Sequence, residues 1–311
     1  MKALVTGGAG FIGSHLAARL LREGHGVRVL DNFSTGDRRN LENLLDDIEL
    51  VEGDIQSSER VNSAVRDCDV LFHQAALPSV PRSVQDPLAS NGSNVVGTLN
   101  VLLAARDNGI RRVVFASSSS VYGANPVLPK REDMVTLPLS PYAVGKLAGE
   151  GYCRSFSEVY GLETVALRYF NVFGPGQDPA SQYAAVIPRF ITAVKAGRPV
   201  VIFGDGEQSR DFTFVSNAVD ANLLAAEAQG VAGRVFNVAC GQRSTLNNLI
   251  DELRHLTGEA FVPRHEPSRA GDVRDSLADL SLAHRKLGYV PLVDFREGLR
   301  LTAESMVAEL A

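Results

Sequence analysis

The amino-acid sequence predicts an α/β protein: a doubly wound parallel sheet followed by a smaller, mixed α/β part. Three observations carry that expectation. Strand-like and helical segments alternate through the first half of the chain, the pattern of parallel strands joined by crossover helices. A glycine-rich turn, Gly7-Gly8-Ala9-Gly10-Phe11-Ile12-Gly13, lies between the first strand-like run and the first helical one. From about Asn171 the texture changes to a loop, Gly174-Pro175-Gly176-Gln177-Asp178-Pro179, and then to shorter, less regular segments.

The elements follow in order. Residues 3–6 are a short apolar run, the first strand. Residues 12–22 carry apolar side chains at helical spacing, and Gly24 stands where the chain should leave that helix. Residues 27–30 read as a second strand ending in Asp31. Residues 48–52 and 70–73 read as the next strands, with a helical stretch at 60–65 between them. Residues 95–108 are amphipathic and stop at Gly109, and residues 112–116 and 165–169 repeat the strand pattern. Beyond residue 174 come an Ala-rich helix, short strands at 200–203 and 235–238, and a Pro-rich stretch at 263–271. The expected division is a first domain at 1–173 and a second at 174–311, with a segment near 210–240 placed to return to the main sheet.

Composition bounds the partners. The chain has 311 residues, 45% hydrophobic and 22% charged, with a formal net charge of −5. This is an ordinary soluble composition, and it gives no electrostatic reason to bind nucleic acid. A nucleotide ligand would need local arginines. Cys68, Cys153 and Cys240 are scattered, lack metal-ligand spacing and read as thiols of a reducing, cytoplasmic environment. The first strand begins too early to leave length for a secretion signal, and no apolar run reaches membrane-spanning length.

The glycine turn has a physical reading. Gly7 allows the tight turn, Gly10 lets backbone approach a pyrophosphate, and Gly13 lets helix and strand pack closely. The helix that follows offers free N–H groups and a positive dipole end to phosphates. Asp31 ends the second strand 18 residues after Gly13. A carboxylate there accepts hydrogen bonds from a ribose and repels a 2′-phosphate, which favours NAD over NADP. Asp54 and Ile55 follow the third strand and are placed to flank an adenine.

A second constellation lies further on. Ser140-Pro141 caps a helix that carries Tyr142 and Lys146 on one face, at i and i+4. A phenol is too weak a base at neutral pH unless a nearby cation lowers its pKa. The strand at 112–116 runs into Ser117-Ser118-Ser119-Ser120-Val121-Tyr122-Gly123. Parallel sheets place their sites at such carboxyl ends, where a hydroxyl can hydrogen-bond a substrate oxygen and relay a proton to Tyr142. A Tyr-x-x-x-Lys pair alone is usually a solvated helix face. The serine run ahead of it changes that reading.

With these motifs in view, the chain resembles the extended short-chain dehydrogenases/reductases, in particular their nucleotide-sugar epimerase branch. The resemblance rests on residues 6–14, 117–123 and 142–146, on Arg168-Tyr169-Phe170-Asn171-Val172-Phe173-Gly174-Pro175, on Arg210-Asp211-Phe212 and on Arg269-Ala270-Gly271-Asp272, nearly the whole chain. It implies a Rossmann fold, NAD as cofactor, a UDP-sugar as substrate and a homodimer built on helices that include 95–108 and that of Tyr142. It implies Phe11, Ile12, Asn32, Ala75, Asn94 and Lys146 as further cofactor contacts. It makes Tyr142, Lys146 and Ser118 catalytic, with Lys146 also fixing the nicotinamide ribose. For substrate it implies Ser79, Ser119, Asn171, Val186, Phe203 and Asp272, together with Arg210 and Arg269 for the diphosphate, a role that suits bidentate guanidinium.

Relatives that eliminate water or carbon dioxide carry acidic residues just before Val-Tyr-Gly, where this chain has Ser119 and Ser120. Without a carboxylate the site suits oxidation of a sugar C4 hydroxyl and re-reduction of the ketone on its opposite face. Ser276 matches a position at which a bulky Tyr blocks N-acetyl sugars. A serine leaves volume for an acetamido group. That points to UDP-N-acetylglucosamine and its galacto epimer, and it leaves UDP-glucose and uronic acid forms open. A dehydratase or decarboxylase is the nearest enzymatic alternative. A non-catalytic NAD sensor on the same fold is disfavoured, because Tyr142, Lys146 and Ser118 are all present.

Overall fold

The computed structural model describes residues 1–178, 186–258, 261–267 and 274–308. The first half runs β1 (Lys2–Thr6), α1 (Phe11–Arg22), β2 (Gly26–Asp31), β3 (Ile48–Glu52), α2 (Ser58–Val65), β4 (Val70–His73), α3 (Val80–Gln85), α4 (Pro87–Asn91), α5 (Thr98–Asp107), β5 (Arg112–Ser118), α6 (Pro141–Tyr160) and β6 (Glu163–Tyr169). The second half runs β7 (Val172–Phe173), α7 (Val186–Lys195), β8 (Val201–Phe203), β9 (Ser209–Arg210), β10 (Thr213–Phe214), α8 (Val215–Glu227), β11 (Arg234–Val238), β12 (Ser244–Thr245), α9 (Leu246–Thr257), β13 (Arg264–Glu266), α10 (Ser281–Leu287) and α11 (Phe295–Ala308).

Seven strands form one parallel sheet in the order β11-β6-β5-β4-β1-β2-β3. Side chains alternate between its faces. Ala3, Val5, Val70, Phe72, Val114 and Leu167 pack on one face with Leu16 and Leu20 of α1 and Ala221 and Ala225 of α8. Leu4, Leu71, Val113 and Phe115 pack on the other with Val61 of α2, Leu102 of α5 and Phe156 of α6. Both faces of each central strand are therefore apolar, as a sheet covered on both sides requires. The doubly wound α/β fold read from the sequence is what forms. The strand at 235–238 joins this sheet within β11, beside β6.

The second half adds a third core. Phe173, Phe212, Phe214 and Phe295 meet ring to ring, and α7, α9 and α11 pack around them. Its strands are short pairs: β7 with β10, β8 with β13, and β9 with β12.

Two boundaries differ from expectation. The helix placed at 95–108 begins earlier: α4 starts at Pro87 and continues through a π turn at Gly92–Gly97 into α5. Its start signal is Asp86, whose side chain accepts from the Ala89 N–H at 2.9 Å, with Pro87 in the first turn. Strand β5 runs on to Ser118, so the first two serines of the run are strand and Ser119 and Ser120 begin a tight turn. Cys68 and Cys153 are buried and Cys240 half-buried, all as free thiols. No helix among the described residues is long and apolar enough to cross a membrane.

Candidate active site

The glycine turn forms the floor of a cleft of about 660 Å³ along the carboxyl ends of the strands. Gly7 has φ 71°, and a Cβ on it would stand 2.6 Å from the Ala75 backbone. A Cβ on Gly13 would stand 2.2 Å from the Gly7 carbonyl oxygen. No side chain caps α1 at Gly10, so its first-turn amides are left for another acceptor. The volume falls within the roughly 300–1,000 Å³ of cofactor sites. A dinucleotide fits these features: bare backbone for a pyrophosphate and an open helix end.

Of the residues singled out for the cofactor, Gly7, Gly10, Phe11, Ile12, Gly13, Asp31, Asn32, Ile55, Ala75 and Lys146 line the cleft. Asp31 is buried and already accepts from the Ala9 N–H at 2.9 Å and the Phe33 N–H at 2.8 Å. Burial pushes its carboxyl up, and these amides oppose the shift. The bonds fix Asp31 against the turn and leave lone pairs for a ribose diol. Asp54 does not line the cleft. It holds the Asn32 amide at 2.8 Å instead. Asn94 also lies behind the lining, pinning Leu77 by both backbone groups at 2.8 and 3.1 Å.

The catalytic candidates gather at the inner end. Ser140 Oγ accepts from the Ala143 N–H at 3.2 Å and starts α6. Tyr142 and Lys146 then face the cleft one turn apart. Ser118 stands beside the Tyr142 hydroxyl, and its own Oγ accepts from the Ser120 N–H at 3.2 Å. Lys146 is buried and donates to the Ala116 carbonyl at 2.8 Å. Its ammonium lies 5.9 Å from the centre of the Tyr142 ring.

The sequence reading has the lysine lower the phenol. Burial dominates and raises the Tyr142 pKa, and Ser118 beside the hydroxyl opposes it. Burial also pulls Lys146 down to about 8. Both groups are therefore disfavoured as lone charges, and each is a ready partner for the other's charged form.

Beneath the serines lies a buried polar floor. Ser117 Oγ donates to Glu150, which pairs with Arg168 through two bonds of 2.8 and 2.7 Å. Arg168 stacks 4.6 Å over Tyr122, whose hydroxyl donates to Asn237 at 2.7 Å. His73, pulled down to about 3 by burial, bridges Thr6 and Thr98 at 2.8 and 3.0 Å.

The substrate candidates divide. Ser79 lines the cleft at φ 95°, a left-handed conformation that is strained for serine. Ser119 is half-buried in the turn after β5. Asn171 (φ 35°), Arg210 and Ser276 come together beyond the lining. Asn171 Nδ2 donates to the Asp211 carbonyl at 3.3 Å, and the Ser276 N–H donates to the Ser209 carbonyl at 3.1 Å. Arg210 donates to the Ser209 and Arg274 carbonyls at 2.9 and 3.0 Å. Phe203 ends β8, and Val186 opens α7 against the aromatic core. Arg269 and Asp272 lie outside the described residues.

Sequence reasoning missed Gln74, Ala76, Arg82, Ser117 and Tyr169 as lining residues, together with the loop Ser34-Thr35-Gly36. Most follow the carboxyl end of a sheet strand, so applying that rule to every strand would have found them. Tyr169 Oη, Gln74 and Asn222 form a closed hydrogen-bonded triangle of 2.7, 3.0 and 3.3 Å at the back of the cleft.

Comparison with known proteins places this geometry. The model of the "NAD dependent epimerase/dehydratase family" matches residues 3–239. The chain is 42% identical to a UDP-glucose 4-epimerase of Mycolicibacterium smegmatis over 98% of both chains. It superposes on a UDP-N-acetylglucosamine 4-epimerase from Methanobrevibacter ruminantium, solved with UDP-N-acetylmuramic acid, at TM-score 0.95 and 42% identity over 99% of this chain and 98% of that one. A UDP-glucose 4-epimerase from Thermotoga maritima, solved with UDP-glucose, matches at TM-score 0.95 and 39% identity over the full length of both chains. The glycine turn, the Ser118–Tyr142–Lys146 cluster and these matches agree: the chain belongs to the NAD-dependent epimerase/dehydratase family of extended short-chain dehydrogenases/reductases, and its cofactor is NAD.

Proposed function

We propose that the chain interconverts the C4 epimers of a UDP-hexose, with UDP-N-acetylglucosamine and UDP-N-acetylgalactosamine as the preferred pair. The observation that carries this is Tyr142 facing the cleft one helical turn from buried Lys146, with Ser118 beside its hydroxyl and serines rather than carboxylates at 119 and 120. NAD, when bound in the cleft, supplies the hydride acceptor and donor. The residues do the rest. Asp31 and the α1 amides hold the cofactor's ribose and pyrophosphate ends. Lys146 holds the nicotinamide ribose and stabilises the phenolate of Tyr142. That phenolate takes the proton of the C4 hydroxyl, with Ser118 donating to the same oxygen, and returns the proton when the C4 ketone is reduced. The 119–120 positions offer no carboxylate to drive elimination, which favours epimerisation over loss of water or carbon dioxide.

Arg210, Arg269 and Asn171 take the diphosphate and sugar side, and the small Ser276 leaves room for an acetamido group. The exposed Val84, Leu88, Val144 and Val159 lie on α3, α4 and α6, which pack side by side. This supports a homodimer formed through that face.

Proton NMR of the purified protein with UDP-N-acetylglucosamine, UDP-glucose and UDP-glucuronic acid in separate tubes, without added NAD, tests the reading. Conversion of the first to its galacto epimer, at least tenfold faster than the others, is the expected result. Conversion of UDP-glucose alone overturns the role of Ser276. Release of carbon dioxide, or a stable ketone product, overturns epimerisation itself.

A further inference from the structure

Asp211 carries an arrangement that the proposed chemistry does not use. It is fully buried, at 0% exposure. Its carboxylate accepts from the backbone N–H groups of Cys240 at 2.9 Å, Gly241 at 3.1 Å and Ala278 at 3.1 Å. These donors come from two separate chain segments, one following β11 and one at 274–278. A buried carboxylate is costly unless its lone pairs are filled, so the segments that fill them are held to it.

The neighbouring residue repeats the link. Ser209, also fully buried, donates through Oγ to Asp275 at 2.5 Å, and its backbone bonds to Arg274 and Ser276 at 3.0 and 3.1 Å. Both neighbours of Arg210 are therefore tied to the segment that carries Ser276. Successive residues of an extended chain point to opposite sides. Pairing Ser209 with Asp275 leaves Arg210 and Ser276 together on the other side. Asn171 closes the cluster on the Asp211 carbonyl.

We propose that Asp211 is a positioning residue for substrate recognition: its amide-filled carboxylate locks β9 to the 274–278 segment and so sets the relative placement of Arg210 and Ser276. The assignment rests on the UDP-sugar reading above. It predicts that loss of the carboxylate loosens nucleotide and sugar recognition while leaving the Tyr142–Lys146 pair and the NAD seat intact.

The test is Asp211→Asn in the NAD-loaded enzyme. The amide keeps the shape but turns an N–H toward backbone N–H groups. Expected results are a KM for UDP-sugar raised tenfold or more, kcat within threefold of wild type, unchanged NAD content, and a narrowed preference between UDP-N-acetylglucosamine and UDP-glucose. A lower melting temperature with KM and preference unchanged would make Asp211 purely structural and overturn the proposal. If the variant does not fold, Ser209→Ala removes the parallel link: KM raised threefold or more supports the lock, and an unchanged KM overturns it. Calorimetric binding of UDP alone separates the two readings. UDP bound at least tenfold more weakly by Asp211→Asn upholds the lock even if wild type epimerises no sugar offered. Equal UDP affinity in both proteins overturns it.

Discussion

Two buried carboxylates face the same physical problem in the two halves of this molecule and meet it differently. Glu150, under the serine run, is paired with the Arg168 guanidinium and accepts from Ser117. Asp211, in the second half, is filled by backbone amides, and burial leaves it pushed up to about 6. A charge pair fixes side chains relative to one another on adjacent rigid elements, here α6 and β6. An amide cradle fixes loops relative to one another, because its donors are the backbone itself. The first device suits a catalytic floor, where a hydroxyl must stay aligned with Tyr142. The second suits a recognition surface assembled from short strands and connecting segments.

The largest expected effect lies on the floor. Tyr142→Phe removes the proton acceptor and leaves Ser118, Lys146 and the cleft in place. The turnover rate should fall about 10²–10⁴-fold, the range for one acid–base group, with UDP affinity and bound NAD unchanged. Retained turnover would show that another group is the base, and the division between chemistry on the floor and recognition in the cradle would break.

Next comes the pair itself. Glu150→Gln leaves a buried guanidinium whose Nη1 already lacks a partner. Removing one member of a buried pair costs about 3–5 kcal/mol, so chemical denaturation should show a loss of that size. Turnover should also fall, because the new amide N–H is turned toward Arg168 Nη2, where Glu150 offered an oxygen, and the floor under Ser117 and Ser118 must shift. A loss below about 1 kcal/mol would mean that the floor is held by packing rather than by the charge pair.

The two halves also differ in how much of them the sequence announces. Gly7, Gly10, Gly13, Asp31, Tyr142 and Lys146 are legible because local rules place them: a strand, a turn, a helix start, one helical turn; within the serine run, only the family resemblance singles out Ser118. The sheet is legible for the same reason, since each strand is an apolar run of ordinary length. The misplaced start of the 95–108 helix is a local signal overlooked, Asp86-Pro87. The roles of Glu150 and Asp211 are not legible. Glu150 is one more charge on a helix until its contacts 18 and 33 residues away are known. The Asp211 partners lie 29, 30 and 67 residues further along, and backbone amides leave no trace in residue type. The bonds that hold Asn94 to the Leu77 backbone, 17 residues away, are likewise absent from the local pattern.

Lys146 sharpens the comparison as a third case, a buried charge with neither device. Among the described residues no carboxylate pairs with it, and its ammonium bonds one carbonyl, that of Ala116, at 2.8 Å. Burial lowers its pKa from 10.5 to about 8, a penalty on the order of 3 kcal/mol for holding the charge. Because the folded value is the lower one, the unfolded chain binds the extra proton between those two pH values. Wild-type stability on this account rises as pH climbs from about 8 toward 10.5, and below 8 the penalty is constant. Lys146→Met removes the charge and one hydrogen bond worth about 1 kcal/mol. It should therefore be inactive yet about 1–2 kcal/mol more stable than wild type at pH 7, and that advantage should shrink between pH 8 and 10. The raised tyrosines, Tyr122 and Tyr169 at about 12, are common to both proteins and cancel in the difference. Urea titrations of the two proteins at pH 7, 8.5 and 10 measure it. A variant less stable than wild type at pH 7, or an advantage that does not change with pH, would mean that the ammonium is held without penalty. The floor would then neutralise its cation as fully as it does Glu150.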